Sequence, residues 1–282
     1  MLPPYLRVDY KLAERVIVDF IKESVEEAGA EGAVIGLSGG GDSAVAAALT
    51  VKALGPGRVR TLFLPDRESD KLSQVIAYKV ADRLGIRFDV IDITGIVTEF
   101  LSALGYDYHT APRVPKGNIK VRSRMTLLYS VANFENRLVV GTSDRSEWLI
   151  GYFTKWGDGA ADMYPIIGLY KTQVREFAKY LDLPIEVVTR PSTPDLWPGH
   201  TAEGELGITY DVIDEVLYRV FDEGVLPDMV PKVAGIPRDV VDKVMELHRR
   251  SEHKRVPLRA PFRSFIQLKR EGVAVRGSRY TS

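Results

Sequence analysis

Apolar positions alternate between helical and strand-like spacing along most of the chain. From Asp9 to Ala28, Leu12, Val16, Phe20 and Val25 recur at helical intervals, and Gly29 and Gly32 end the pattern before an unbroken apolar run, Ala33 to Leu37. This predicts a helix and then a buried strand. A glycine-rich turn comes next, then a helix over 43–54, a strand over 59–64, a helix over 69–84 closed by Gly85, and a strand over 86–91. After a polar and aromatic connection from Gly105 to Gly117, Asn118 is expected to cap a helix with the inward stripe Val121, Met125, Leu128 and Ala132, leading into a strand over 137–142. Strands alternating with helices of this length predict an α/β fold with a parallel sheet covered on both faces. Beyond Thr142 the period is lost. The stretches 151–168 and 189–207 are rich in glycine, proline and aromatics and read as long loops, whereas 171–181, 209–221 and 237–250 read as helices and the chain from Val256 onward as a basic, irregular tail.

Composition narrows the function classes. The 282 residues carry 38 Lys plus Arg and 38 Asp plus Glu, so no global field draws the chain to nucleic acid or an anionic membrane. No window reaches the ~18 apolar residues of a membrane span, and the N-terminus lacks a secretion signal, which together predict a soluble cytoplasmic protein. There is no cysteine, so disulfides, thiolate metal sites and a cysteine nucleophile in this chain are excluded. No HExxH spacing or GxSxG elbow is present.

The decisive stretch is GLSGGGDSA, Gly36 to Ala44, between the first strand and a helix N-terminus. Its glycines let the backbone aim several N–H groups at one point, and the helix dipole adds about half a positive charge there. Such a turn binds an anion, most simply phosphate. It nearly matches GxxxxGK[ST], with Gly36, Gly41 and Ser43 in place, but Asp42 holds the lysine position. A carboxylate facing phosphate repels it unless a hard cation bridges them, so Asp42 is the expected Mg2+ ligand.

Here the sequence resembles the ATP pyrophosphatases, whose fingerprint is SGGxDS after the first strand and which cleave ATP to AMP and pyrophosphate. GTSDRSE (141–147), GYFTKWGDGAADMYP (151–165) and EHKR (252–255) narrow the resemblance to the ammonia-dependent NAD synthetase family, over about residues 15–257. The resemblance implies a doubly wound, mostly parallel, five-stranded sheet of the adenine nucleotide alpha hydrolase type. It also implies one NAD synthetase domain spanning the chain: a helical start at 9–28, a sheet core at about 32–188, and a helical segment and tail at about 209–282.

By the same resemblance, Gly36, Leu37, Ser38, Gly39, Gly40, Gly41, Asp42 and Ser43 would form the ATP loop, with Thr142, Lys171 and Thr193 as further ATP contacts. Asp42 and Glu147 would hold Mg2+ and, with Lys171, carry the catalysis. Arg122, Lys155, Asp162, His253 and Lys254 would contact deamido-NAD+, with Arg124 an alternative to Arg122. Ammonia would be the amine donor, without a glutaminase domain in this chain, and the enzyme would be a homodimer. Apart from the resemblance, the length and glycine content of 151–168 and 189–207 lead to the expectation that they close over the ligands. Two rivals remain at this stage: another AMP-forming ligase, such as a GMP synthetase-like enzyme, and a non-catalytic nucleotide-binding protein.

Overall fold

The computed structural model describes residues 2–256; the tail expected beyond Val256 lies outside the described residues. Helices and strands run in the order α1 (Tyr10–Glu27), β1 (Gly32–Gly36), α2 (Gly41–Leu54), β2 (Val59–Phe63), α3 (Lys71–Leu84), β3 (Arg87–Val90), α4 (Thr94–Ala103), α5 (Arg113–Phe134) and β4 (Arg137–Val140). Next come α6 (Arg145–Ile150), α7 (Lys171–Tyr180), α8 (Ile185–Thr189), α9 (Ala202–Leu206), α10 (Tyr210–Phe221), α11 (Val230–Ala234), α12 (Arg238–Arg250) and α13 (Glu252–Arg255).

Among the described residues the sheet has four parallel strands in the order β3-β2-β1-β4, where five are expected. On the open side of β4 the chain is irregular, and among the described residues a single bridge, Val140 to Met163, extends pairing there. Alternation along β1 sends Ala33 and Ile35 into the core shared with α1, α2, α3 and α7, and Val34 into the core under α4 and α5. A third cluster, centred on Tyr210, Ile213, Leu217 and Val244, joins α10 and α12 to Ile150 at the end of α6. The strand order matters for chemistry. The chain steps outward from β1 to β2 and β3, then returns to the other flank of β1 as β4. The carboxyl ends of β1 and β4 therefore border a switch point, where open α/β sheets leave a crevice.

Three local expectations change. Helix α5 begins at Arg113 rather than at Asn118, because Pro115 falls in the first turn, where a missing N–H costs nothing. Asn118 is thus inside the helix, and its side-chain oxygen accepts the Thr154 hydroxyl at 3.0 Å. On α1, Ile21 and Val25 are buried, whereas Leu12, Val16 and Phe20 are exposed; the inward face runs one residue later, through Ala13 and Ile17. The reading of 189–207 as unbroken loop is corrected by the short helix α9.

Candidate active site

The bend between β1 and α2 is closed by its own hydroxyls. Ser43 Oγ donates to Gly40 O at 3.1 Å and accepts from Ser38 N at 3.2 Å, while Ser38 Oγ accepts from Gly40 N at 3.3 Å. Gly39 has φ +80°, and a Cβ there would lie 2.3 Å from the Ser73 carbonyl oxygen, so only glycine fits. Asp42 sits in the first turn of α2.

Across the switch point, Asp144 caps α6 by accepting Glu147 N at 2.8 Å, and the Glu147 side chain reaches back to Asp144 N at 3.4 Å. This capping box fixes both carboxylates on one short turn. Lys171 opens α7. Its backbone N–H donates to Ser146 Oγ at 2.8 Å, and Asp214 anchors the same corner by bonding the Ser146 hydroxyl and accepting Thr172 N at 2.8 Å. Burial pushes the Asp214 carboxyl up to about 7.

The result is an acidic cluster in which Asp144 and Lys171 are buried and Asp42 and Glu147 are partly exposed. Lys171 Nζ lies 2.8 Å from Asp42 Oδ2, 2.9 Å from Asp144 Oδ2 and 2.7 Å from Glu147 Oε1, and oxygen atoms of the three carboxylates lie within 4.8 Å of one another. Fully ionised, the set would place three negative charges around one positive charge, an excess of two. Burial pushes the Glu147 carboxyl well above its usual range; Lys171 opposes this, and Asp144 and Asp42 add to it. Burial also disfavours the Lys171 ammonium, but Asp144, Asp42 and Glu147 outweigh it and hold its pKa well above the usual lysine value. An all-oxygen anionic set with an uncompensated excess fits a hard divalent cation.

The cluster borders a cavity of about 440 Å3, lined by the bend, the ends of β2 and β4, α5, and parts of 151–158 and 190–205. Gly36, Leu37, Ser38, Gly40, Gly41, Asp42, Ser43, Thr142, Glu147, Lys171, Thr193 and Lys254 all line it. Lys254 Nζ donates to the carbonyls of Gly151 and Phe153, both at 2.7 Å. Gly39 supports the bend from behind and does not line the cavity.

Four other residues named from the sequence also lie off it. Arg122 Nε donates to Lys155 O at 3.1 Å, and Lys155 Nζ donates to His253 O at 2.9 Å, so these three are stitched together at the surface. Asp162 accepts Val139 N at 2.7 Å and the Tyr129 hydroxyl at 3.2 Å, extending the edge of β4. Arg124 lines the cavity instead of Arg122. Burial lowers the Arg124 pKa, with Asp66, Asp195 and Asp158 supporting its charge, and its Nε donates to Leu64 O at 2.9 Å. Asp144 and Arg190 are further charged groups at the site that the sequence alone does not single out.

Comparison with known proteins identifies the family. A family model described as NAD synthase matches residues 13–257. The NH(3)-dependent NAD(+) synthetase of Hyperthermus butylicus is 51% identical over 251 residues, 89% of this chain and 90% of its own length. The chain belongs to the NAD synthase family. A second NH(3)-dependent NAD(+) synthetase, from Staphylothermus marinus, is 47% identical over 89% of this chain and 91% of its own length. Among solved structures, NMN synthetase from Francisella tularensis superposes with a TM-score of 0.79 at 36% identity, covering 91% of this chain and 100% of its own. The NH3-dependent NAD synthetase of Campylobacter jejuni gives 0.74 at 28% identity, covering 91% of this chain and 100% of its own.

Proposed function

We propose that this chain is an ammonia-dependent NAD+ synthetase, which amidates the nicotinate carboxylate of deamido-NAD+ while ATP becomes AMP and pyrophosphate. The observation that carries this reading is the convergence of Asp42, Asp144, Glu147 and Lys171 beside a phosphate-type bend at the β1/β4 switch point. The choice of the dinucleotide is supported by the relatives named NH(3)-dependent NAD(+) synthetase at 51% and 47% identity.

The chemistry has two steps. The deamido-NAD+ carboxylate attacks the ATP α-phosphorus and pyrophosphate leaves; ammonia then attacks the acyl carbon and expels AMP. Backbone N–H groups at the start of α2 receive the departing pyrophosphate. Asp42, Asp144 and Glu147 would hold Mg2+, which when bound neutralises phosphate charge. Lys171, freed from its carboxylates, follows the negative charge onto the phosphates. Thr142 and Thr193 contact ATP, and Arg124 and Lys254 face the anionic portions of deamido-NAD+.

The Arg122, Lys155 and His253 group lies outside the cavity, which is consistent with a homodimer whose subunits share the dinucleotide. Segments 151–158 and 190–205 cover the ligands and keep water from the acyl-adenylate. The cytoplasm is the expected location; among the described residues no helix is long and apolar enough to cross a membrane.

The test is incubation with ATP, Mg2+, ammonium and deamido-NAD+. NAD+ formed in equal amounts with AMP and pyrophosphate supports the reading, and ADP with orthophosphate overturns it.

A further inference from the structure

Tyr210 stands behind the acidic cluster, and the two-step reaction gives it no part. It opens α10, its backbone N–H donates to Glu203 Oε1 at 3.0 Å, and its side chain is buried. Lys171 Nζ lies over the ring, 5.1 Å from its centroid, and the Arg175 guanidinium lies over it at 5.8 Å. These two cations are one turn apart on α7, and both line the cavity. The ring therefore backs the cationic face of that helix. Its hydroxyl is buried without a hydrogen-bond partner among the described residues, so what the site has from this residue is the ring.

Neutrality is the useful property of this partner. Burial pushes the phenol well above the usual tyrosine value, so the ring carries no formal charge beside three carboxylates. An ammonium within 2.9 Å of Asp42, Asp144 and Glu147 and a divalent cation held by the same oxygens exclude one another. When a metal takes the carboxylates, Lys171 loses its three ionic partners. The Tyr210 ring attracts a cation through its quadrupole but offers a hard metal no ligand, so it holds the ammonium in both states.

We propose that Tyr210 is the positioning residue for Lys171: its ring keeps the ammonium at the cavity wall once the carboxylates release it, beside the reacting phosphates; this rests on the functional reading above. In the resting cluster the carboxylates fix the lysine and the ring adds little. In the released state the ring is the main hold that remains. The two states therefore depend unequally on the electrons of the ring, which gives the test its sign.

The test varies ring electrons at nearly constant shape. Tyr210→Phe removes only the unpartnered hydroxyl and is the reference: kcat should stay within about twofold of wild type, and the melting temperature should hold or rise. The same substitution made with one, two and three fluorine atoms on the ring progressively drains negative potential from its face. Across that series kcat should fall stepwise by about tenfold in all, with KM for deamido-NAD+ within about twofold and a level melting temperature. The dissociation constant for Mn2+ without nucleotide should rise severalfold in the same order, because release of Lys171 becomes harder. Both trends should persist in an Arg175→Gln background; trends that vanish there assign the ring to Arg175 and overturn the proposal. A level series in kcat or in Mn2+ affinity, with NAD+ still formed, overturns the role of Tyr210 alone, and a fall that follows the melting temperature shows a structural role and overturns it too. A wild-type protein that binds no Mn2+, or forms no NAD+ from ATP, ammonium and deamido-NAD+, overturns the functional reading and this inference with it.

Discussion

Two buried ion clusters stand at the carboxyl edge of the sheet and differ in one respect. Beyond β2, Lys120 Nζ lies 2.6 Å from Asp66 and 2.7 Å from Glu68, while Lys116 Nζ lies 2.8 Å from Glu68. Two ammonium groups face two carboxylates, the Tyr108 hydroxyl adds a further bond to Asp66, and Lys120 also donates to Leu196 O at 2.8 Å. Burial works against the charge on Asp66 and Glu68, but the lysines prevail and lower both pKa values. Beyond β4, three carboxylates share one cation among the described residues, Lys171, and burial raises the Glu147 value instead. A balanced cluster is complete and acts as a clamp; an unbalanced one is short of positive charge, which a bound proton or a cation can supply.

That contrast predicts opposite phenotypes. Asp42→Asn and Glu147→Gln should each lower kcat by roughly a thousandfold while leaving the melting temperature unchanged or higher, because each removes a like-charge conflict. Steady-state NAD+ formation across a Mg2+ titration, read beside thermal melts, checks this; near-normal turnover at limiting Mg2+ would remove the metal role. Lys120→Met should act on stability, costing about 3–5 kcal/mol because Asp66 is left buried without its counter-charge. Denaturant unfolding measures it, and a loss below ~1 kcal/mol would show that the second cluster is not a clamp.

A pH-dependent effect of similar size tests the corner that carries Lys171. Asp214 has a folded pKa of about 7, above that of an unfolded aspartate at about 3.9, so the folded state holds the proton more tightly. Stability from this group is therefore complete at low pH and declines as pH rises from about 4 to 7, by at most ~1.4 kcal/mol per unit. Asp214→Asn should flatten that slope, and a wild-type profile without a decline in this window would contradict the assignment.

Much of this arrangement is legible in residue order. The bend and its displaced lysine point to Asp42, and the alternation of strands and helices locates all four strands. The fifth strand comes from the resemblance rather than from any apolar run, and no run beyond β4 supports one. Asp144 escapes a reading that takes Glu147 as a ligand without asking what holds it, although Asp-x-x-Glu at a helix start signals a capping box. The choice between Arg122 and Arg124 is also encoded: on a helix they point about 200° apart, and Arg124, at i+3 from Val121 and i−4 from Leu128, shares their inward stripe. The stripe on α1 misleads because consecutive apolar residues support two adjacent registers, and only packing against α2 selects one. The partners of Lys171 are beyond sequence reasoning, since they meet through contacts more than twenty residues apart.

The missing side chain at Gly39 reaches further than its own turn. Because the Ser73 carbonyl occupies the space where a Cβ would stand, the bend and α3 are seated directly against one another. Ser73 in turn accepts an Arg190 N–H at 3.0 Å, and Asp195 accepts the neighbouring Asp70 N–H at 3.0 Å. The bend, α3 and the segment over the cavity thus form a short mechanical train. Displacement of the bend by an incoming nucleotide would be transmitted to the cover through the backbone of α3, with Arg190 and Asp195 as its couplings.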